Sequence, residues 1–301
     1  MKFQIGIDLG GTKTEIAVLN THGEMVYRQR CPTPSNSYEA ILDAMCGLVN
    51  AAVSQTGMAR PLQIGIGMPG CLDVDSSLVR GSNTQVLNHQ PLKKDLEHKL
   101  GCEVRLQNDA NCLALSEAID GAGAQGRVVF AAILGTGCGG GVVVDRQLLT
   151  GRHAIAGEWG HNPLPWPSVE ELQIPPCWCG QTGCLETWLS GIAFAQDHAR
   201  HTAHHLSAQD IVHAMRQGDE FATQSFQRYV NRLGRALAQV INLIDPDCIV
   251  LGGGMSNVQE IYPSIGEEIS KYSFGVKATT PVRQAVYGDS SGVRGAAWLC
   301  D

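Results

Sequence analysis

Three cysteines spaced as Cys177-x-Cys179-x-x-x-x-Cys184 place three soft ligands on one short loop, and Gly180 and Gly183 give that loop the tight curvature a metal requires. His161 stands just upstream, in a stretch that also holds Pro163, Pro165 and Pro167, and can supply a fourth ligand. A Cys3His tetrahedron has no open position, so the zinc expected there is structural, not catalytic. Three buried reduced thiols are the plainer alternative, and a redox pair a weaker one, because Cys-x-Cys is not thioredoxin spacing. On either side of the cluster stand Glu158, in Gly157-Glu158-Trp159-Gly160-His161, and Glu186, in Cys184-Leu185-Glu186. Two carboxylates and a histidine pinned together by a metal would make a wall of acceptors for sugar hydroxyls; two surface glutamates are the alternative.

A third carboxylate sits in Asn108-Asp109-Ala110-Asn111, after an expected strand and at the start of an expected helix. Helix N-terminal amides would keep Asp109 ionised. The same position equally suits a plain N-cap.

Glycine turns close three expected strands, at Gly10-Gly11, Gly135 to Gly141 and Gly252-Gly253-Gly254. Aspartate, two glycines, threonine and lysine in one β-turn put several backbone N–H groups on a concave surface that a phosphate can approach. Asp8 at the strand end suits a hydrated Mg2+. The segment falls short of a P-loop, since Thr12 stands where lysine is required and a hairpin follows. One such turn would read as an ordinary hairpin; three, each at a strand end, point to nucleotide binding.

The elements that must position these residues read as follows. Strands are expected at Phe3 to Asp8, Thr14 to Leu19, Met25 to Cys31, Leu62 to Met68 and Val104 to Leu106, with helices over Tyr38 to Val53, Leu92 to Leu100 and Ala110 to Ile119. In the second half, strands are expected at Val128 to Leu134, Val142 to Asp145, Cys248 to Leu251 and Pro281 to Val286. Helices are expected over Ala208 to Gln217, Glu220 to Ile244, Val258 to Tyr272 and Val293 to Leu299. Each half opens as strand, glycine-rich hairpin, strand. That repetition predicts two similar α/β lobes facing across a ligand cleft, 1–120 plus 288–301 and 121–287, the second carrying the zinc site. A duplicated fold of the actin and hexokinase type fits, with ribonuclease H-like lobes; a Rossmann dehydrogenase fits poorly. The histidines His198, His201, His204 and His205 fall at helical spacing and read as a solvated helix face, with a metal site as the rival.

Composition narrows the partners. With 44% hydrophobic and 17% charged residues among 301, the chain can bury a sizeable core. A net charge of −7 argues against a general nucleic-acid binder or an anionic-membrane binder. No apolar run approaches the about 20 residues needed to span a bilayer, and Asp8 and Lys13 interrupt the N-terminal one. Eleven scattered cysteines with one tight cluster suit a reducing cytoplasm.

Together these segments resemble the ROK family (repressors, open reading frames, kinases). The matches are Asp8-Leu9-Gly10-Gly11-Thr12-Lys13, Asn108-Asp109-Ala110-Asn111, Gly135-Thr136-Gly137-Cys138-Gly139-Gly140-Gly141, Gly157 to His161 and Cys177 to Glu186. Asp245-Pro246-Asp247 leading into Leu251-Gly252-Gly253-Gly254 joins them. The resemblance implies an ATP-dependent hexose kinase acting in line on the 6-hydroxyl, with Asp109 as the base. It implies sugar contacts at Gly70, Asn83, Asn108, Glu158, His161 and Glu186, and zinc on His161, Cys177, Cys179 and Cys184. ATP with Mg2+ would lie on Gly6-Ile7-Asp8-Leu9-Gly10-Gly11-Thr12-Lys13, on Thr136-Gly137-Cys138-Gly139-Gly140-Gly141-Val142-Val143-Val144 and on Gly252-Gly253-Gly254. The repressors carry an N-terminal helix-turn-helix, for which a phosphate strand starting at residue 3 leaves no room here, so an enzyme is favoured over a sugar sensor without turnover. Trp159, His161 to Trp166 and Asp289 to Gly295 look most like the bacterial fructokinase (manno(fructo)kinase) branch, with the N-acetylglucosamine kinases and glucokinases as alternatives. The expected partners are a small sugar and ATP, with a homodimer allowed.

Overall fold

Two five-stranded sheets organise the chain, whose computed structural model describes residues 3–172, 175–275 and 277–300. The first half runs β1 (Gln4–Leu9), β2 (Lys13–Leu19), β3 (Met25–Pro32), α1 (Tyr38–Thr56), β4 (Gln63–Met68), β5 (Cys71–Leu72), β6 (Val79–Arg80), α2 (Leu92–Leu100), β7 (Glu103–Asn108) and α3 (Asp109–Ile119). The second runs β8 (Val128–Leu134), β9 (Cys138–Val144), β10 (Gln147–Leu148), α4 (Glu186–Leu189), α5 (Gly191–Thr202), α6 (Ala208–Arg216), α7 (Glu220–Ile244), β11 (Cys248–Gly252), α8 (Ile261–Ser270), β12 (Val282–Gln284) and α9 (Ser291–Trp298).

The two sheets share one order. The first is β3-β2-β1-β4-β7 and the second β10-β9-β8-β11-β12. In each, an antiparallel edge is followed by two parallel strands added in turn, β4 beside β1 and β7 beside β4, β11 beside β8 and β12 beside β11. Both faces of such parallel strands must be covered, which is why Ile5, Ile7, Ile64, Ile66, Val104, Val129, Ile249 and Val250 are all buried.

Two compact units result: residues 1–124, 141–156 and 286–301, and residues 125–140 and 157–285. They differ from the lobe bounds expected above mainly in the segment 141–156, which joins the first unit. A Cβ on Gly141 would stand 2.7 Å from Ala114 Cβ, so the last part of β9 lies directly on α3.

The first unit's core packs α1 and α2 against the sheet through Ile41, Leu42, Met45, Leu92 and Leu96. Ser37 caps α1 by accepting from Ala40 N, and Gly57 ends it at φ 65°. In the second unit, α7 buries Phe226, Tyr229, Val230, Leu233 and Leu237, the i, i+3, i+4, i+7 spacing of one apolar face. Asp219 caps it by accepting from Ala222 N at 2.7 Å.

Some expectations shift. The glycine turn expected over Gly135 to Gly141 is short, and Cys138 to Gly141 already belong to β9. Glycine serves there for close approach, since a Cβ on Gly140 would meet the Trp159 ring at 2.8 Å. Helix α5, signalled only by its histidine spacing, starts at Gly191 behind the N-cap Ser190, and the long helix expected from Val258 starts at Ile261. Among the described residues, no helix is long and apolar enough to cross a membrane.

Candidate active site and metal centre

In the first unit, two carboxylates are brought together by parallel neighbours in one sheet. Asp8 is near the end of β1, Asp109 opens α3 directly after β7, and β4 lies between the two strands. Desolvation, then the charges of Asp109 and Glu15, push the Asp8 carboxyl up to about 7, while Lys13 and Arg30 pull it down. Asp109 is exposed. Asn108 holds that junction, its Oδ1 accepting from Ala110 N at 2.8 Å and its Nδ2 donating to Gly70 O at 3.2 Å. Gly70 has φ 82°, and a Cβ there would sit 2.4 Å from Arg80 O, so the residue must be glycine. Asn83 is exposed on the loop that Ser82 and Asn88 fix to each other.

The turn after β1 closes by Gly10 N donating to Lys13 O at 3.0 Å, leaving Gly11, Thr12 and Lys13 exposed. Gly6, Ile7 and Leu9 are placed differently. Ile7 and Leu9 are buried, and a Cβ on Gly6 would fall 2.1 Å from Val293 O of α9, so these three serve the packing of β1.

In the second unit, the hairpin from β8 to β9 leaves Thr136 exposed, with Gly135 N donating to Gly137 O. Glu186 reaches this hairpin from the start of α4: its Oε2 accepts from Cys138 N at 2.9 Å and its Oε1 from Trp178 Nε1 at 2.6 Å. Burial raises the pKa of Glu158, His161 lowers it and Glu186 raises it, so His161 and Glu186 both lie within electrostatic reach of Glu158. Trp159, next in sequence to Glu158, is locked by donating from Nε1 to Gly139 O at 2.7 Å and by edge contact with Phe130. Of the remaining expected nucleotide residues, Val142 and Val143 are buried in β9. Gly252 ends β11, and Gly253 (φ 80°) stacks its backbone on Leu134.

The four expected metal ligands meet. One donor atom from each of His161, Cys177, Cys179 and Cys184 lies within 4.8 Å of all the others. Cys177 Sγ is 3.7 Å from His161 Nδ1, and Cys179 Sγ is 3.7 Å from Cys184 Sγ. A tetrahedron with metal–sulfur bonds of about 2.3 Å spaces its sulfurs about 3.8 Å apart, so the donor set fits. The loop is framed by Cys177 N donating to Gln181 O and by Leu164 N donating to Gly183 O. No other His, Cys, Asp or Glu group of this kind occurs among the described residues.

The histidines of α5 correct the sequence expectation. His198 is buried, with Nδ1 3.0 Å from Ser225 Oγ, and so cannot belong to a solvated face. His201 lies on the helix surface, and His204 and His205 are exposed beyond its end.

Residues 4–301 match the ROK family. The chain belongs to the ROK family. An N-acetyl-D-glucosamine kinase of Salmonella paratyphi B is 38% identical over 298 residues, 98% of each chain. Among solved structures, a ROK hexokinase from Thermus thermophilus superposes with a TM-score of 0.87 at 30% identity, covering 98% of this chain and 97% of that one. A ROK glucokinase from Streptomyces griseus, in complex with glucose and AMPPNP, gives 0.79 at 31% identity over 99% of both. The architecture is therefore the two-lobed actin-like ATPase fold of this ROK protein's relatives. The expected likeness to the fructokinase branch gains no support from these proteins, the curated one being an N-acetyl-D-glucosamine kinase.

Two features of the site had no sequence signal. Gly292 of α9 abuts Asp8, where a Cβ would stand 3.1 Å from Asp8 Oδ2, and Glu117, farther along α3, ties down the segment that leads into α9.

Proposed function

We propose that this ROK protein is a sugar kinase that transfers the γ-phosphoryl group of ATP to the 6-hydroxyl of N-acetyl-D-glucosamine. The observation that carries the reading is the Asp8–Asp109 pair, one carboxylate near the end of β1 and the other at the N-terminus of α3, in a chain similar from end to end to an N-acetyl-D-glucosamine kinase. Asp109 takes the proton from the attacking hydroxyl as the phosphoryl group leaves ADP. Asn108 holds Asp109 in place while its own amide stays tied to Gly70. Asn83, Glu158, His161 and Glu186 supply hydroxyl contacts, Glu186 with one oxygen already oriented by Cys138 N. Exposed amides of the turns at Gly11 to Lys13 and Thr136 to Gly137 meet the phosphates. Mg2+ arriving with the nucleotide would neutralise phosphate charge, and Asp8 is the carboxylate suited to face it.

Zinc is the metal this reading puts on His161, Cys177, Cys179 and Cys184, because three thiolates and an imidazole form a closed soft set. Its place in function is indirect: it holds the loop that carries Trp178, whose indole bonds Glu186.

An ADP-release assay with Mg-ATP across N-acetylglucosamine, glucose, mannose and fructose tests the assignment. Turnover strongest on N-acetylglucosamine supports it. Turnover strongest on fructose or mannose restores the fructokinase expectation and overturns the substrate, and sugar binding with no turnover on any of the four overturns the kinase.

A further inference from the structure

Helix α7 carries Arg228, Asn231, Arg232 and Arg235 at i, i+3, i+4 and i+7, and this polar stripe forms one wall of a cavity of about 760 Å3 within the second unit. The volume lies in the range of small-molecule sites, roughly 300–1,000 Å3. None of its lining residues belongs to the sugar, nucleotide or metal sets above.

The cavity's two buried carboxylates are fully engaged. Glu171 accepts from Arg232 Nε (2.7 Å), Arg235 Nη1 (2.9 Å), Arg235 Nη2 (2.7 Å) and Ser168 N (2.9 Å). Asp197 accepts from Arg232 Nη1 (2.8 Å), Arg228 Nε (2.9 Å) and Arg200 Nη2 (3.4 Å). Burial works against an ionised Glu171, but hydrogen bonds from Arg235 and Arg232 outweigh it and bring its carboxyl down to about 2. Both carboxylates thus stay charged and spend their acceptors in fixing guanidinium groups. Arg228 Nη1 and Arg200 Nη1 keep N–H groups with no protein partner among the described residues.

A buried ion-pair network is a poor way to gain stability, because desolvation offsets most of the attraction. Two further buried donors make the arrangement costlier. Trp188 Nε1 and Arg235 Nε have no hydrogen-bond partner, and each such group costs about 1–3 kcal/mol. Trp166 adds backbone strain: its φ is 47°, where bulky residues are rarely found, and Arg235 Nη1 holds it there by donating to Trp166 O at 2.7 Å. Its ring stacks on Tyr272 at 5.3 Å while half the residue stays exposed. The cavity therefore joins an aromatic face to two guanidinium groups with unused donors. Guanidinium forks match a phosphate, and an aromatic face matches the apolar face of a sugar ring.

We infer that this cavity binds a phosphorylated monosaccharide, its phosphate on Arg200 and Arg228 and its ring against Trp166. Trp188, which lies under the Arg200 and Arg232 guanidinium groups, is two residues from Glu186 on the single turn of α4. An effect of the occupant on turnover follows from that spacing and rests on the reading of Glu186 as a sugar contact; the binding itself does not.

The test is calorimetric titration of N-acetylglucosamine 6-phosphate into the full chain held in saturating N-acetylglucosamine, so that the sugar site is filled. One equivalent is expected to bind. Arg200→Ala, Arg228→Ala and Trp166→Ala should each weaken it by about tenfold or more with unchanged N-acetylglucosamine affinity, and Arg200→Ala with an unchanged thermal melt. Arg200 is well exposed, so its variant stays informative even if Arg228→Ala disturbs Asp197. Absence of binding overturns the site, as does binding that neither arginine variant weakens. Inorganic phosphate binding as tightly as the sugar phosphate overturns the sugar component. Failure of the kinase reading would appear separately, as no ADP release from Mg-ATP with any of the four sugars, and leaves the arginine comparison interpretable.

Discussion

Glu117 accepts a hydrogen bond from Ser291 Oγ at 2.9 Å, although 174 residues separate them. The same buried carboxylate accepts from Ala122 N, Val286 N and Tyr287 N. It thereby fixes the approach to α9, whose Gly292 frames Asp8 and whose Gly295 lies on α3 so closely that a Cβ would stand 1.6 Å from Cys112 O. One side chain on α3 thus holds both helices that border the carboxylate pair.

Replacing Glu117 by alanine removes the acceptor of four donors, of which the Ser291 hydroxyl is buried and the other three lie nearer solvent. A buried donor left unpaired costs about 1–3 kcal/mol, so Glu117→Ala is expected to destabilise the chain by about that much or more, with Glu117→Gln in between. Thermal melts decide it, and a melt for the alanine variant within a degree of the parent would show that the clasp is dispensable.

Asp8 links stability to pH. Its carboxyl stands at about 7 in the folded chain against an ordinary 3.8, so the folded form binds that proton more tightly than the unfolded one. The resulting stabilisation is complete below about 4 and is lost as pH rises through about 7. Asp8→Asn cannot ionise, so its melting temperature should exceed the parent's at pH 8 and lose that advantage near pH 4. A gap that does not change with pH would contradict the shift. If the ionised form faces Mg-ATP, parental kcat/KM for the nucleotide should also fall as pH drops below about 7.

Asp109→Asn should lower kcat by about 10²–10⁴ and leave sugar affinity within a few-fold, since a base contributes to proton transfer and little to ground-state binding. Single-turnover assays with calorimetry separate the two effects. Comparable losses in kcat and in sugar affinity would make Asp109 a binding residue instead.

Metal removal should act through the loop. Cys179 is exposed, so a chelator can reach the cluster, while Cys177 and Cys184 are buried. Chelation or Cys179→Ala should release about one zinc per chain, lower the melting temperature and raise the sugar KM by loosening Trp178 and Glu186. Elemental analysis alongside kinetics reads this out, and full activity in metal-free protein would refute the role.

Local signals were legible in the sequence. The i, i+3, i+4 pattern of α7 and the cysteine spacing are properties of short segments, and each element met its expected place. Non-local causes were not legible. The glycines of β9 were read as a turn because a sequence does not reveal that Trp159 and α3 press against that strand. His198 was read as solvated because its burial depends on Ser225 of α7. Glu117 looks like any helical glutamate until Ser291 arrives from the far end of the chain. The choice of sugar depends on contacts that shared motifs leave open.

The first unit is discontinuous, and its last piece begins at Val286. A chain emerging from the ribosome can complete the sheet order of β1 to β7 early, but α9, the bed on which Gly6 and Gly65 rest and whose Gly292 faces Asp8, is made only after the whole second unit. The carboxylates at residues 8 and 109 thus wait for a helix that begins only at Ser291. A product cut short before that helix would keep the glycine turns, the Asn108-Asp109 junction and the cysteine cluster but lose the support of the carboxylate pair, whose placement therefore also reports that synthesis passed Ser291.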